Sequence, residues 1–257
     1  MSYSLGNTVW ARTWADELAR SGVEEVAVAP GSRSTPLVLA MARDPRFRLR
    51  VHLDERSAAF FALGIGKATG RPATVVTTSG SAVANLFPAV VEAGQAETPL
   101  LVLTADRPPR LRGADANQAI DQVRLFGSHV RASLEAGPPT AGPSELRHLR
   151  ALAARAVDLA VGPPAGPVHV NFPFDKPLEP SEDGIDALAT EHPLAVAGRP
   201  EERPYVSTHR GRAVPTAETL ERLAALCATE RGLVVVGPHP QPWRVGPAVL
   251  RFAARAG

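Results

Sequence analysis

Five short polar clusters hold the residues of this sequence whose types and spacing could do chemistry. They are Pro30-Gly-Ser-Arg-Ser-Thr-Pro36, His52-Leu-Asp-Glu-Arg56, Thr77-Thr-Ser-Gly-Ser81, Thr104-Ala-Asp-Arg-Pro-Pro109 and Ala116-Asn-Gln-Ala-Ile120. Glu55 brings a carboxyl that can share a proton once it leaves bulk water, because a low-dielectric site raises a carboxyl pKa. Arg33 and Arg107 bring planar guanidinium forks, whose fixed donors match a carboxylate bidentately. Ser32, Thr78, Ser81, Asn117 and Gln118 bring neutral hydrogen-bonding groups. Taken singly, each has a plainer explanation. Glu55 is equally a first-turn acid favoured by a helix dipole, with Asp54 as its N-cap. Arg107 could pair with Asp106 at the surface, where an ion pair contributes little. Ser79 or Ser81 could cap a helix, and His52 reads as an ordinary strand residue.

Where the elements put the clusters separates these explanations. Helices are expected from Asn7 or Thr8 to about Arg20, then over about 35–43, 55–68 and 82–93; Val9, Trp14 and Leu18 give the first its apolar stripe, and Gly22 closes it. Strands are expected over 25–29, 47–53, 73–78 and 100–104, each short and rich in apolar or β-branched residues. Further on, 119–130 and 144–161 read as helices and 167–172 as a last strand. Strands alternating with helices at this spacing predict an α/β fold, a doubly wound and mostly parallel sheet with helices on both faces. Ligands of such sheets sit at the carboxyl ends of the strands. Four of the clusters fall where a strand ends and the fifth closes the loop after the fourth strand, so together they predict one ligand site.

Composition removes several function classes. The 257 residues are 44% hydrophobic and 21% charged, enough for a real core in one or two domains. No apolar run reaches the length of a membrane span, and no basic segment followed by an apolar one opens the chain as a signal peptide would. The one cysteine, Cys227, excludes an intrachain disulfide, so a cytoplasmic location is expected. The pI near 9.1 does not imply nucleic acid. Net charge is only +2, and all basic residues except Lys67 and Lys176 are arginines scattered among acids rather than gathered in a patch. Gly64-Ile-Gly-Lys-Ala-Thr69 lacks the phosphate-loop spacing, no Gly-x-Ser-x-Gly surrounds Ser79 or Ser81, and no histidine has metal-ligand spacing. From Pro173 to about Val214 the residues turn to Pro, Glu, Asp and Gly, which predicts a linker with little core. Helix–strand–helix over about 217–228, 233–236 and 247–256 predicts a second unit too small to bury both faces of a sheet. The expected organisation is a ligand-binding domain over 1–180, a linker over 181–205 and an incomplete α/β domain over 206–257.

The segment Asp54-Glu-Arg-Ser-Ala-Ala-Phe-Phe-Ala-Leu-Gly-Ile-Gly-Lys-Ala-Thr-Gly-Arg-Pro72 is similar to the glutamate-bearing segment of thiamine-diphosphate enzymes. In these the glutamate opens a helix that ends in a Thr-Gly turn before the next strand. The Gly-Ser-Arg-Ser-Thr-Pro, Ser-Gly-Ser-Ala-Val-Ala-Asn-Leu, Thr-Ala-Asp-Arg-Pro-Pro and Asn-Gln-Ala-Ile segments narrow the resemblance. Together they resemble the synthase family of menaquinone biosynthesis that forms 2-succinyl-5-enolpyruvyl-6-hydroxy-3-cyclohexene-1-carboxylate. Acetolactate-synthase-type enzymes usually carry Gly-Pro-Gly-Ala-Thr-Asn where this chain has Gly80-Ser-Ala-Val-Ala-Asn85. The resemblance is strong over about 7–175 and weak beyond.

The resemblance implies a transferase that uses thiamine diphosphate with Mg²⁺ or Mn²⁺. It implies decarboxylation of 2-oxoglutarate and addition of the succinyl-semialdehyde unit to isochorismate, by a homodimer or homotetramer. Glu55 would then be catalytic: the cofactor's own imino group takes the thiazolium C2 proton, and that tautomer needs an acid hydrogen-bonded to N1′. Arg33 and Arg107 would bind substrate carboxylates, with Ser32, Asn117 and Gln118 adding neutral hydrogen bonds. Pro30, Glu55, Thr78 and Ser81 would border the aminopyrimidine. The family holds the metal and diphosphate on a further domain that opens with Gly-Asp-Gly. That motif does not occur here, and Glu182-Asp-Gly184 lies in the expected linker. The diphosphate domain is therefore expected to be missing, no metal ligand is expected in this chain, and the chain supplies half of a site. Another carboligase or decarboxylase of the same cofactor class, or a non-catalytic fragment keeping the fold, remain as alternatives.

Overall fold

The computed structural model describes residues 3–211, 213–228, 231–237 and 242–256. The chain divides into two units, residues 1–207 and 208–257. In the first, six parallel strands stand in the order β2-β1-β3-β4-β6-β5. They are β1 (Glu25–Val28), β2 (Arg48–Val51), β3 (Ala73–Thr77), β4 (Leu100–Asp106), β5 (Ala132–Glu135) and β6 (Pro167–Pro173). The chain steps outward from β1 to β2, then returns to β3 on the other side of β1. That reversal opens a crevice beyond the carboxyl ends of β1 and β3. Every residue of β3, β4 and β6 is buried, as strands covered by helices on both faces require.

The helices of this unit are α1 (Tyr3–Arg20), α2 (Thr35–Ala42), α3 (Glu55–Thr69), α4 (Ser81–Ala84), α5 (Phe87–Gln95), α6 (Pro143–Val161), α7 (Ile185–Glu191) and α8 (Pro193–Val196). One face of the sheet carries α1, α2 and α6 around Trp14, Leu18, Met41, Leu103, Leu149 and Phe172, with Trp14 edge-on to Phe172 at 4.9 Å. The other face carries α3 and α5 around Ala58, Ala62, Val75, Val90 and Val102. Small residues let α3 sit close: a Cβ on Gly66 would lie 2.5 Å from the Pro99 carbonyl oxygen. Asp54 caps α3 by accepting from the Ser57 N–H at 2.9 Å, and Gly70 ends it at φ 69°.

Several expected elements are different in the structure. Helix α1 begins at Tyr3, so Asn7 and Thr8 lie inside it; Asn7 instead donates to the carbonyls of Asp175 and Pro177 at 2.7 and 3.0 Å. The helix expected over 82–93 is two, α4 and α5, separated at Asn85-Leu86. The helix expected over 119–130 does not form. Arg124 and Gly127 take φ of 58° and 53°, which a continuous helix excludes, and the segment runs as turns with one 3₁₀ turn at Gly127–His129. Strand β5 went unread because its four residues, Ala132-Ser-Leu-Glu135, are a half-buried edge with little apolar signal. The stretch 181–205 is no linker: α7 and α8 bury Ile185 and Ala195 in the core. The fully buried Arg150 of α6 donates to the carbonyls of Ala195 and Val196 at 2.9 and 2.7 Å, and to Asp16 and Glu17 of α1 at 2.7 and 2.9 Å.

The second unit contains α9 (Ala217–Cys227) and α10 (Pro242–Ala256). The strand expected at 233–236 is not formed; Leu233 and Val235 are 89% and 83% exposed. A parallel strand needs neighbours for its N–H and C=O groups, and the described residues of this unit supply none. No helix among the described residues is long and apolar enough to cross a membrane.

Arg150→Ala leaves the buried Glu17 without its charge partner and two carbonyls without their donor, so it should lower the unfolding free energy by about 3–5 kcal/mol. Urea unfolding followed at constant m-value checks this; a loss under about 1 kcal/mol would mean that α8 is not anchored through Arg150.

Candidate active site

A cleft of about 1180 Å³ opens at the carboxyl ends of β1, β3 and β4. Of the residues singled out in the sequence, Pro30, Ser32, Arg33, Glu55, Thr78, Arg107, Asn117 and Gln118 line it. Ser81 does not: it opens α4 with its side chain exposed and is absent from the lining. Two other hollows, of about 690 and 700 Å³, lie on the helices and at the amino-terminal end of the strands, and neither is lined by Arg33, Glu55 or Arg107.

Local packing explains how the cleft wall is set. The turn after β1 lies flat on the end of β3, since a Cβ on Gly31 would come within 2.4 Å of the Thr78 Cβ. Glu55 is the first residue of α3 and half-buried, and Asn85 donates from Nδ2 to its Oε2 at 3.1 Å. Asn85 was readable only as the end of the Gly-Ser-Ala-Val-Ala-Asn segment; its reach to Glu55 is a matter of folding. Arg33 and Arg107 are 7% and 9% exposed. Arg33 donates to the Phe174 carbonyl at 2.7 Å and Arg107 to the Ser79 hydroxyl. The surface pair of Arg107 with Asp106 does not form. Asp106 accepts instead from the Arg107 backbone N–H at 2.7 Å and pairs with Arg112 at 2.9 Å.

Burial lowers the pKa of both cleft arginines, and Arg33 is lowered further by the charge of Arg107 beside it. A guanidinium does not give up its proton in a protein. Two cations taken out of water side by side, with no carboxylate in ion-pair reach among the described residues, therefore cost energy that an incoming anion relieves.

Beneath the cleft lies a buried polar network that the sequence did not announce. Thr104 donates to Asn171 Oδ1 at 2.9 Å, so its oxygen must accept from His169 Nε2 at 2.8 Å. Gln122 donates to Asn171 Oδ1 at 2.8 Å and the Ala105 carbonyl at 3.0 Å, and accepts from the Gly80 N–H at 2.9 Å. Asn171 donates to Asp106 and Glu135, both at 2.9 Å. At the mouth, Arg110 pairs with Asp175, and the exposed Lys176 follows. The charged pair Asp175-Lys176, just past the last strand, was the one signal that could have drawn these residues into the site.

Burial pushes the His169 pKa down to about 4, so the folded protein keeps it neutral. The unfolded chain takes up a proton near pH 6.5 that the native state refuses. His169 thus contributes stability that is complete above about pH 6.5 and is lost as pH falls through about 4. Urea midpoints measured across that window should fall, and His169→Gln should flatten the fall; an unchanged slope in the variant would exclude His169 as its source.

A doubly wound parallel sheet, with a helix-opening glutamate lining a cleft at its strand ends, defines a class of cofactor-binding domain. Residues 10–125 match the family described as thiamine pyrophosphate enzyme, N-terminal TPP binding domain, a span holding Arg33, Glu55, Arg107, Asn117 and Gln118. Longer stretches are similar to proteins named 2-succinyl-5-enolpyruvyl-6-hydroxy-3-cyclohexene-1-carboxylate synthase. The one from Halobacterium salinarum is 54% identical over 236 residues, 90% of this chain and 40% of that protein. That of Roseiflexus castenholzii is 51% identical over 255 residues, 98% and 44% respectively. That of Haloquadratum walsbyi is 48% identical over 260 residues, 100% and 41%. The chain belongs to this synthase family and corresponds to an amino-terminal portion of it. It spans between 40% and 44% of the length of these curated relatives.

Proposed function

We propose that this chain carries the activating half of the active site of a thiamine-diphosphate-dependent synthase. Its reaction decarboxylates 2-oxoglutarate and adds the succinyl-semialdehyde unit to isochorismate in menaquinone biosynthesis. One observation carries the reading: a single cleft holds the Glu55 carboxylate together with two nearly buried arginines that lack acid partners. A site with two carboxylates, one of them tied to Arg110, against Arg33, Arg107, Arg110 and Lys176 suits dianionic substrates better than neutral ones.

The residues present fit the aminopyrimidine end of the cofactor. Glu55 offers a carboxyl for the ring N1′, and the backbone of Pro30-Gly31 and the side of Thr78 border the same cleft. When bound, the cofactor supplies the carbon centre that takes the keto carbon and the electron sink that decarboxylation needs. Glu55 holds the N1′ proton; with Oε2 accepting from Asn85, Oε1 is left for it. Arg33 and Arg107 bind carboxylates, and Ser32, Asn117 and Gln118 orient the substrate with neutral hydrogen bonds.

In this reading residues 1–180, with 181–207 packed onto them, are the pyrimidine-binding domain, and the residues from 208 on begin a central α/β domain. The diphosphate and Mg²⁺ belong to the part of the relatives' length that this chain does not span. Phe60 and Phe61 of α3, 43% and 39% exposed, support a partner subunit packed against this helix. A homo-oligomer in the cytoplasm is consistent with that and with the single cysteine.

Calorimetry of this chain with thiamine diphosphate and Mg²⁺ should give no binding in the micromolar range, since the most charged end of the cofactor stays in water; a micromolar Kd would break the half-site reading. In a full-length synthase carrying this segment, Glu55→Gln should lower kcat by about 100-fold or more with unfolding unchanged. Arg33→Ala and Arg107→Ala should each cost about 1.5–3 kcal/mol in kcat/KM for 2-oxoglutarate or isochorismate. Steady-state kinetics unaffected by either arginine change would remove them from substrate binding.

A further inference from the structure

Arg107 opens the long loop after β4 and Gln118 stands near its middle, and a single buried hydroxyl joins them. Ser79 is fully buried. Its one O–H proton goes to the Gln118 carbonyl at 3.2 Å, which leaves the hydroxyl oxygen to accept from Arg107 Nη1. Gln118 answers by donating from Nε2 to the Ser79 carbonyl at 2.8 Å. Gln118 itself stands at φ 57°, a conformation that a glutamine keeps only when its surroundings hold it. The next residue seals the joint: Gly80, at φ 82°, has no space for a Cβ, which would lie 2.8 Å from Gln118 Cγ. Its N–H is in turn gripped by Gln122 at 2.9 Å.

We propose that Ser79 is a positioning residue for substrate binding, holding the Arg107 fork and the Gln118 loop in one register. The proposal rests on the reading of Arg107 as a carboxylate ligand. The polarity of the joint gives it direction. With Nη1 turned inward to Ser79, the other N–H groups of Arg107 have no protein acceptor among the described residues and face the cleft. Loss of the hydroxyl frees the guanidinium to rotate and releases the Gln118 turn, so the fork must be ordered again each time an anion binds.

The test uses the ¹⁵N-labelled chain, with guanidinium signals assigned by Arg107→Lys and Arg33→Lys, and succinate as the probe. Rotation of the Arg107 guanidinium should be hindered in the wild type and free in Ser79→Ala. Ser79→Cys keeps nearly the same volume with a weak hydrogen-bonding group, so it should free Arg107 even if the alanine variant folds poorly. Arg33, tied to Phe174, should be unchanged in both and separates a local effect from general loosening. Half-saturation by succinate, read at Arg107, should rise about tenfold in both variants, equivalent to about 1.4 kcal/mol. Unchanged rotation or unchanged half-saturation overturns the proposal, as does equal disturbance of Arg33. If wild-type Arg107 does not respond to succinate although its rotation is hindered, the carboxylate reading itself fails and the proposal goes with it.

Discussion

A sheet of six parallel strands has to bury both of its faces, and most of the first unit follows from that requirement. Helices α1, α2 and α6 close one face and α3 and α5 the other, and every strand begins at the same end of the sheet. The polar residues then have only the strand ends to occupy. Because β1 and β3 are neighbours while the chain between them detours through β2, no connection crosses directly above their carboxyl ends. The crevice left there receives the turn carrying Arg33, the start of α3 carrying Glu55 and the turn carrying Ser79.

Electrostatics acts within that frame. Arg33 and Arg107 come from turns after different strands, yet both are taken nearly out of water at one place. Each is held by a neutral acceptor, a carbonyl for Arg33 and a hydroxyl for Arg107, rather than by an acid. Asp106 stands next to Arg107 in sequence and could have neutralised it. Its side-chain oxygens are committed elsewhere, to the backbone N–H of Arg107, to Asn171 and to Arg112. The buried network thus does two things at once: it satisfies the polar groups at the ends of β4 and β6, and it keeps an acid away from the fork.

The two units differ in how their apolar segments are covered. Short helices α7 and α8 have seven hydrophobic residues in eleven, and Arg150 of α6 fastens α8 to α1 from inside. In residues 208–257 α9 has the same seven in eleven and 233–236 is wholly apolar, yet both lie exposed, with Leu226 at 77% and Leu233 at 89%. Burial therefore tracks partners rather than composition.

By itself the sequence determined the class of fold, most helices and strands of the first unit, and the clusters that form the cleft. Those features are local: β-branched runs, the Asp54 cap, the glycine after α3 and the polar residues that follow each strand. Only the tertiary structure decided that 119–130 serves the cleft as turns, because the demand comes from Gly80, Ala105 and Asn171, which Gln122 meets across the sheet. Tertiary structure alone made 185–196 part of the core, through an arginine some 45 residues earlier in the chain. It also left Ser81 outside the cleft and brought Asn85 to Glu55, since a helix of four residues turns its side chains in directions that residue types do not specify. A strand at 233–236 failed for the same reason in reverse: strand propensity is legible in a sequence, but a strand exists only where a neighbour completes its hydrogen bonds.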